Sequence, residues 1–103
     1  MRKFRDDLYT NAGLENLTEN IVLQELYDFA EKIRNTHSKE ICICWICLAD
    51  VAAIVLNESK PHYCSNFLDK SENNDHLIKL RSEISEKIVK AFETVKKNPH
   101  HEA

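Results

Sequence analysis

Three thiols fall within six residues in Cys42-Ile43-Cys44-Trp45-Ile46-Cys47, and a fourth follows at Cys64. In an extended segment side chains alternate, so Cys42 and Cys44 point one way while Ile41 and Ile43 point the other. Cys47 falls where the chain turns into a helix, whose unpaired amides and positive dipole end favour a thiolate over a thiol. Three sulfurs on one bend suit a soft cation. Zinc binds tetrahedrally and accepts sulfur, so the trio plus one distant ligand predicts a closed structural Zn2+ site. Two other chemistries use the same atoms. A redox dithiol would need Cys-x-x-Cys at a helix start after a core strand, and only the spacing of Cys44 and Cys47 matches. An iron–sulfur cluster is the other.

Cys64 is the remaining cysteine and the candidate fourth ligand. A helix from about Leu48 to Asn57 carries the chain about 15 Å away, and the extended stretch that follows spans up to about 20 Å, so a return to the helix start is feasible. Cys64 beside Tyr63 and near Phe67 also fits a small buried hydrophobe. His37, His62, His100 and His101 are alternative ligands, with His100 and His101 read as part of a solvated tail after Pro99.

The elements that must position these thiols are helical. The chain has 103 residues, enough for one domain, and is 43% hydrophobic and 30% charged, a composition that folds. One glycine and two prolines leave almost no residues for the tight turns of an all-β fold. Residues 1–15 read as an N-terminal arm. Asn16-Leu17-Thr18-Glu19 offers a capping residue with a glutamate three positions on, which predicts a helix start. Leu17, Val22, Leu26, Phe29 and Ile33 form its core stripe, widened by Leu23, Tyr27 and Ala30. Asn35-Thr36-His37-Ser38 ends it, because these side chains compete for backbone hydrogen bonds.

A central helix carries Leu48, Val51, Ala52, Val55 and Leu56, in a segment so apolar that little of it should face water. Pro61 ends helical geometry at Lys60, making Glu58 to Lys60 a connection and the run to Phe67 extended or irregular. The last helix starts near Asn74 or Asp75, with Leu77, Ile84, Ile88, Ala91, Phe92 and Val95 on one stripe. That stripe either packs on the core or supplies a dimer interface. The expected architecture is all-α: three to four helices with a cysteine–zinc knuckle over residues 16–97, and a tail over 98–103.

A net charge of -3 provides no global positive field for nucleic acid or an anionic membrane. Lys79, Arg81, Lys87, Lys90, Lys96 and Lys97 lie along the last helix, but Glu83, Glu86 and Glu93 interrupt them, and a solvated surface accounts for the pattern. The N-terminus lacks a secretory apolar stretch and no run reaches the length of a bilayer span, so no membrane partner is expected and the cytoplasm is the expected location.

From Cys42 to Tyr63 the order Cys-x-Cys-x-x-Cys-x-x-Asp-Val-x-Ala-x-x-Leu-Asn-x-x-x-Pro-x-Tyr resembles the late-competence ComFB family. Cys42, Cys44, Cys47, Asp50, Val51, Ala53, Leu56, Asn57, Pro61 and Tyr63 carry it, and Asn16, Val22 and Leu26 look like the family's opening segment. The resemblance implies a small all-helical, zinc-binding, dimeric bacterial protein without catalysis. It also implies a link to cyclic dinucleotides such as cyclic di-GMP, and through the family name to DNA uptake. The family position of Cys64 is usually apolar, so this chain departs from the pattern there.

Five residues are candidates for ligand binding. Asp50, expected in the first turn of the central helix, serves the helix dipole or touches a ligand. Asn57 is expected to end that helix in a left-handed conformation, and Tyr63 to pack after the turn or to stack on a base. Arg34 and Lys60, with Lys70 and Arg81, supply cations for phosphates. The reading is a non-catalytic regulatory module. A protein-interaction or DNA-uptake accessory without nucleotide binding is one alternative, and a thiol redox protein is the other. A cluster saturated by metal has no free nucleophile, and no Ser/His/Asp set or glycine-rich phosphate loop is present.

Overall fold

A computed structural model describes residues 2–37, 40–65 and 74–97. Four helices are present among them: α1 (Arg2–Asn11), α2 (Leu17–Asn35), α3 (Trp45–Asn57) and α4 (Asn74–Lys97). A two-residue strand β1 (Glu15–Asn16) pairs antiparallel with β2 (Tyr63–Cys64), Glu15 opposite Cys64 and Asn16 opposite Tyr63. No described helix is long and apolar enough to cross a membrane. The fold is mostly helical, as the scarcity of glycine and proline requires.

α2 begins where the capping residue stands. Asn16 is extended, and its side-chain oxygen accepts from the Thr18 amide at 3.1 Å and from the His62 amide at 2.9 Å. One carboxamide thus caps a helix and holds the distant connection, a role in which alanine would cost about 1 kcal/mol from the cap alone. Thr18 is buried; its hydroxyl donates to the Lys60 carbonyl at 2.8 Å, and the Leu17 amide donates to the His62 carbonyl at 2.7 Å. These bonds dock the turn after α3 onto the start of α2.

α2, α3 and α4 share one core of Ile21, Val22, Leu26, Cys47, Val51, Val55, Ile84, Ile88, Ala91, Phe92 and Val95. The rings of Phe29 and Phe92 stack at 4.8 Å between centroids. The apolar stripe of α4 lies within this core, so its own chain already covers it. Outside the core, Arg81 pairs with Glu25 at 2.9 Å and Lys87 donates to the Glu58 carbonyl at 2.9 Å. Two of the basic residues considered for DNA are therefore engaged in holding helices together.

Several expectations change. The stretch read as an arm contains α1, none of whose residues is buried. Leu23 and Tyr27 do not widen the core stripe; both are exposed, because no described element packs directly over that side of α2. α3 starts at Trp45 rather than near Leu48, and Trp45 and Ile46 face solvent despite the apolar run around them. Asn57 ends α3 without a left-handed turn: Glu58 caps the helix at φ -93°, and its amide stays within reach of the Ile54 and Val55 carbonyls. The left-handed conformation after a helix belongs instead to His37, at φ 53° beyond α2. Ser38, Phe67, Lys70, His100, His101 and the 98–103 tail lie outside the described residues.

Candidate metal centre

Cys44 is the N-cap of α3, with extended backbone at φ -70° and ψ 164°. Its Sγ accepts from the Cys47 amide at 3.5 Å, while its carbonyl takes the Leu48 amide at 2.9 Å as the first turn closes. A sulfur therefore occupies the place usually held by a serine or aspartate oxygen, satisfying one of the amides that every helix start leaves open. Cys42 precedes it in the bend, and Cys47 lies in the first turn of the helix.

The three Sγ atoms lie within 4.8 Å of one another, Cys42 and Cys44 exposed and Cys47 buried. Sulfurs held at about 2.3 Å from a tetrahedral zinc stand roughly 3.8 Å apart, so closure by about 1 Å would seat an ion. No disulfide joins any of the four cysteines. The trio could thus hold a metal ion.

Two of the thiols differ in acidity for reasons of position. The Cys47 amide, helped by Cys42, Cys47 and the Ile46 amide, lowers the Cys44 thiol from 9.0 to about 7, against opposition from partial desolvation. Burial raises Cys47 to about 12, with the neighbouring Cys42 and Cys44 sulfurs adding to the rise. In the metal-free protein one ligand is therefore poised as a thiolate while a second keeps its proton until a cation arrives. Metal binding must release protons and weaken as pH falls through about 7, where Cys44 regains its own. Alkylation of metal-free protein by iodoacetamide, followed by peptide mass spectrometry, should show Cys44 half-maximally reactive near pH 7 and Cys47 inert at that pH. A midpoint for Cys44 near 9.0 would show that the capping amide does not stabilise its thiolate.

Cys64 is not in the cluster. It is buried on β2, and its thiol donates to a Glu15 carboxylate oxygen at 3.8 Å across the ladder. Among the described residues no fourth cysteine, histidine or carboxylate joins the trio. His37 is exposed at the end of α2, and His62 is partly buried where the backbone meets Asn16.

The ligand-binding candidates are carried by α2, α3, β2 and the connection after α3. Asp50 sits in the second turn of α3, not the first, because the helix begins three residues earlier than the apolar pattern implied. Asn57 and Lys60 are exposed near the other end of α3, where the Lys60 carbonyl is used by Thr18. Tyr63 is exposed on β2 instead of packed. Arg34, paired with Glu31, borders a cavity of about 460 Å³ between α2 and α3. Leu23, Leu26, Tyr27, Trp45, Leu48 and Ala52 supply its apolar walls. Sequence reasoning assigned Leu23 and Tyr27 to the core and gave Trp45 no role. A signal for the cavity was present, since Leu23 and Tyr27 are four residues apart and lie off the Val22, Leu26, Phe29 line.

No curated protein and no solved structure matches the chain. Residues 15–99 match the family described as late competence development protein ComFB, a span that holds the cysteine bend, both strands and all three helices of the core. The chain therefore belongs to the ComFB family.

Proposed function

We propose that this protein is a non-catalytic regulatory module whose fold is set by a structural zinc ion on Cys42, Cys44 and Cys47, and that it acts as a two-fold dimer. The observation that carries the reading is the convergence of the three Sγ atoms within 4.8 Å at the start of the central helix. Family membership supports a competence-related regulatory role. Zinc fits because sulfur-rich tetrahedral sites with no required redox change select it. The fourth position falls to water, to a residue outside the described ones, or to Cys64 after rearrangement of β2.

The ligand class that goes with this reading is a cyclic dinucleotide, which requires cations for two phosphates and flat surfaces for two bases. Arg34, with Tyr27 and Trp45 bordering the same cavity, favours it. A purely protein-binding module, such as a DNA-uptake accessory, is favoured by the apolar character of that cavity.

Metal analysis of freshly purified protein by inductively coupled plasma spectrometry should find one zinc per chain, and thiol titration should rise by three groups after chelation. Protein without metal whose thiols all react before chelation would remove the site. Isothermal titration of the zinc-loaded protein with cyclic di-GMP and cyclic di-AMP then tests the ligand class. Heat and thermal stabilisation would support it, and the lack of both well above micromolar concentration would leave the protein-binding reading.

A further inference from the structure

Among the described residues two apolar surfaces stand exposed, one a cavity and the other a helix face. The first is the cavity between α2 and α3, where Leu23 is 48%, Tyr27 57% and Trp45 87% exposed. The second is α1, a helix with no buried residue. Phe4, 64% exposed, and Leu8 are four residues apart and share one face, with Tyr9 at its edge under the Arg5 guanidinium. α1 lies outside residues 15–99, so it is an element this chain carries beyond the matched region.

The geometry points to α1 of a second copy as the occupant of the α2–α3 cavity, each chain giving its α1 to the other about a two-fold axis. Three observations favour this occupant. The surface is convex and helical on one side and concave between two helices on the other, which is the helix-in-groove mode of recognition. The charges agree: Asp7 and Arg5, which flank the Phe4–Leu8 face on either side, can meet Arg34 and Glu31 at the rim. The area suffices as well. Burying the exposed parts of these aromatics and leucines in two equivalent cavities removes on the order of 1,200 Å² from water, within the range of specific interfaces. Gly13, in the left-handed region at φ 69°, supplies the turn between α1 and β1 about which the helix can be presented.

The inference rests on the dimer reading above, names its interface and sides with the protein-binding use of the cavity, since a seated α1 leaves no room there for a nucleotide. Sedimentation velocity of the full zinc-loaded chain over a concentration series tests it, with metal content and Trp45 fluorescence measured on the same samples. A reversible dimer is expected, with Trp45 emission moving to shorter wavelength as the dimer forms and returning on dilution. Phe4→Asp and Tyr27→Asp should each weaken dimerisation at least tenfold. Neither side chain contributes to the core, so both variants should melt as cooperatively as the parent. A monomer at every concentration overturns both the interface and the dimer reading. A dimer unmoved by either variant overturns the interface alone. A Trp45 shift that responds to Phe4→Asp but not to dilution would place α1 on its own chain's cavity and also overturn it. The metal measurement keeps the zinc reading separate, since a zinc-bound monomer sinks only the dimer.

Discussion

Cys47→Ser is expected to abolish zinc retention and to lower the melting midpoint of the protein, relative to the zinc-loaded parent, by about 15–30 °C. The size follows from linkage: an ion present at about 1,000 times its dissociation constant adds about 4 kcal/mol to the folded state, and each kcal/mol moves the midpoint of a domain this small by about 4–8 °C. Zinc held by thiolates is often tighter than that, and native domains are stable by only about 5–15 kcal/mol, so such an ion would account for a large share of the total. Cys42→Ser provides the comparison. It removes a sulfur of the same trio from an exposed position, whereas Cys47 also belongs to the core. Both variants should lose the ion, and with chelator present throughout Cys47→Ser should melt below Cys42→Ser, by the packing contribution alone. A parent protein whose midpoint is indifferent to chelator would show that the bend holds no structural ion.

Ile88→Ala should be nearly as damaging for a reason that has nothing to do with metal. Ile88 is 1% exposed on α4, within the core shared with α2 and α3. Cutting it to alanine removes three heavy atoms and leaves a void that rigid neighbours close only in part, at about 2–4 kcal/mol and a fall of about 10–25 °C. Its sequence neighbour Val89 faces solvent, and Val89→Ala should shift stability by no more than about 0.5 kcal/mol. Urea denaturation checks the pair. The midpoint should move for Ile88→Ala at unchanged slope, and equal effects at both positions would mean that α4 presents a different face to the core.

The helical core was legible because α2 and α4 repeat apolar residues at helical spacing and because Asn16 announces the start of α2. Val22 and Leu26, assigned to the core, are found there, and Ile84, Ile88, Phe92 and Val95, whose spacing allows either the core or a dimer interface, lie in the core as well. The start of α3 was misplaced because sulfur is not among the usual capping atoms, so Cys44 looked like a ligand and nothing more. Its cap moves the helix back to Trp45 and shifts Asp50 out of the first turn. Leu23 and Tyr27 were assigned to the core because periodicity reports which residues share a face, not whether another element covers that face. The β1–β2 ladder could not be read at all: two residues per strand give no alternation, and the pairing depends on Asn16 reaching across 46 positions to His62. The convergence of Cys42, Cys44 and Cys47 followed from spacing. The partner of Cys64, Glu15, did not, because it depends on that same ladder.

The central helix is anchored at its two ends by unlike materials. Its beginning is capped by sulfur, which responds to oxidants and acid, and its far end is tied by amide and hydroxyl bonds to Asn16, Thr18 and Leu17, which respond to neither. A chemical signal that strips the first anchor would let Trp45 and Ile46 swing loose while the clasp at Lys60 and His62 keeps the rest of α3 in register. Amide exchange would then quicken from Cys44 toward Leu48 and stay slow at Leu17 and Thr18, making this helix a lever hinged at one end.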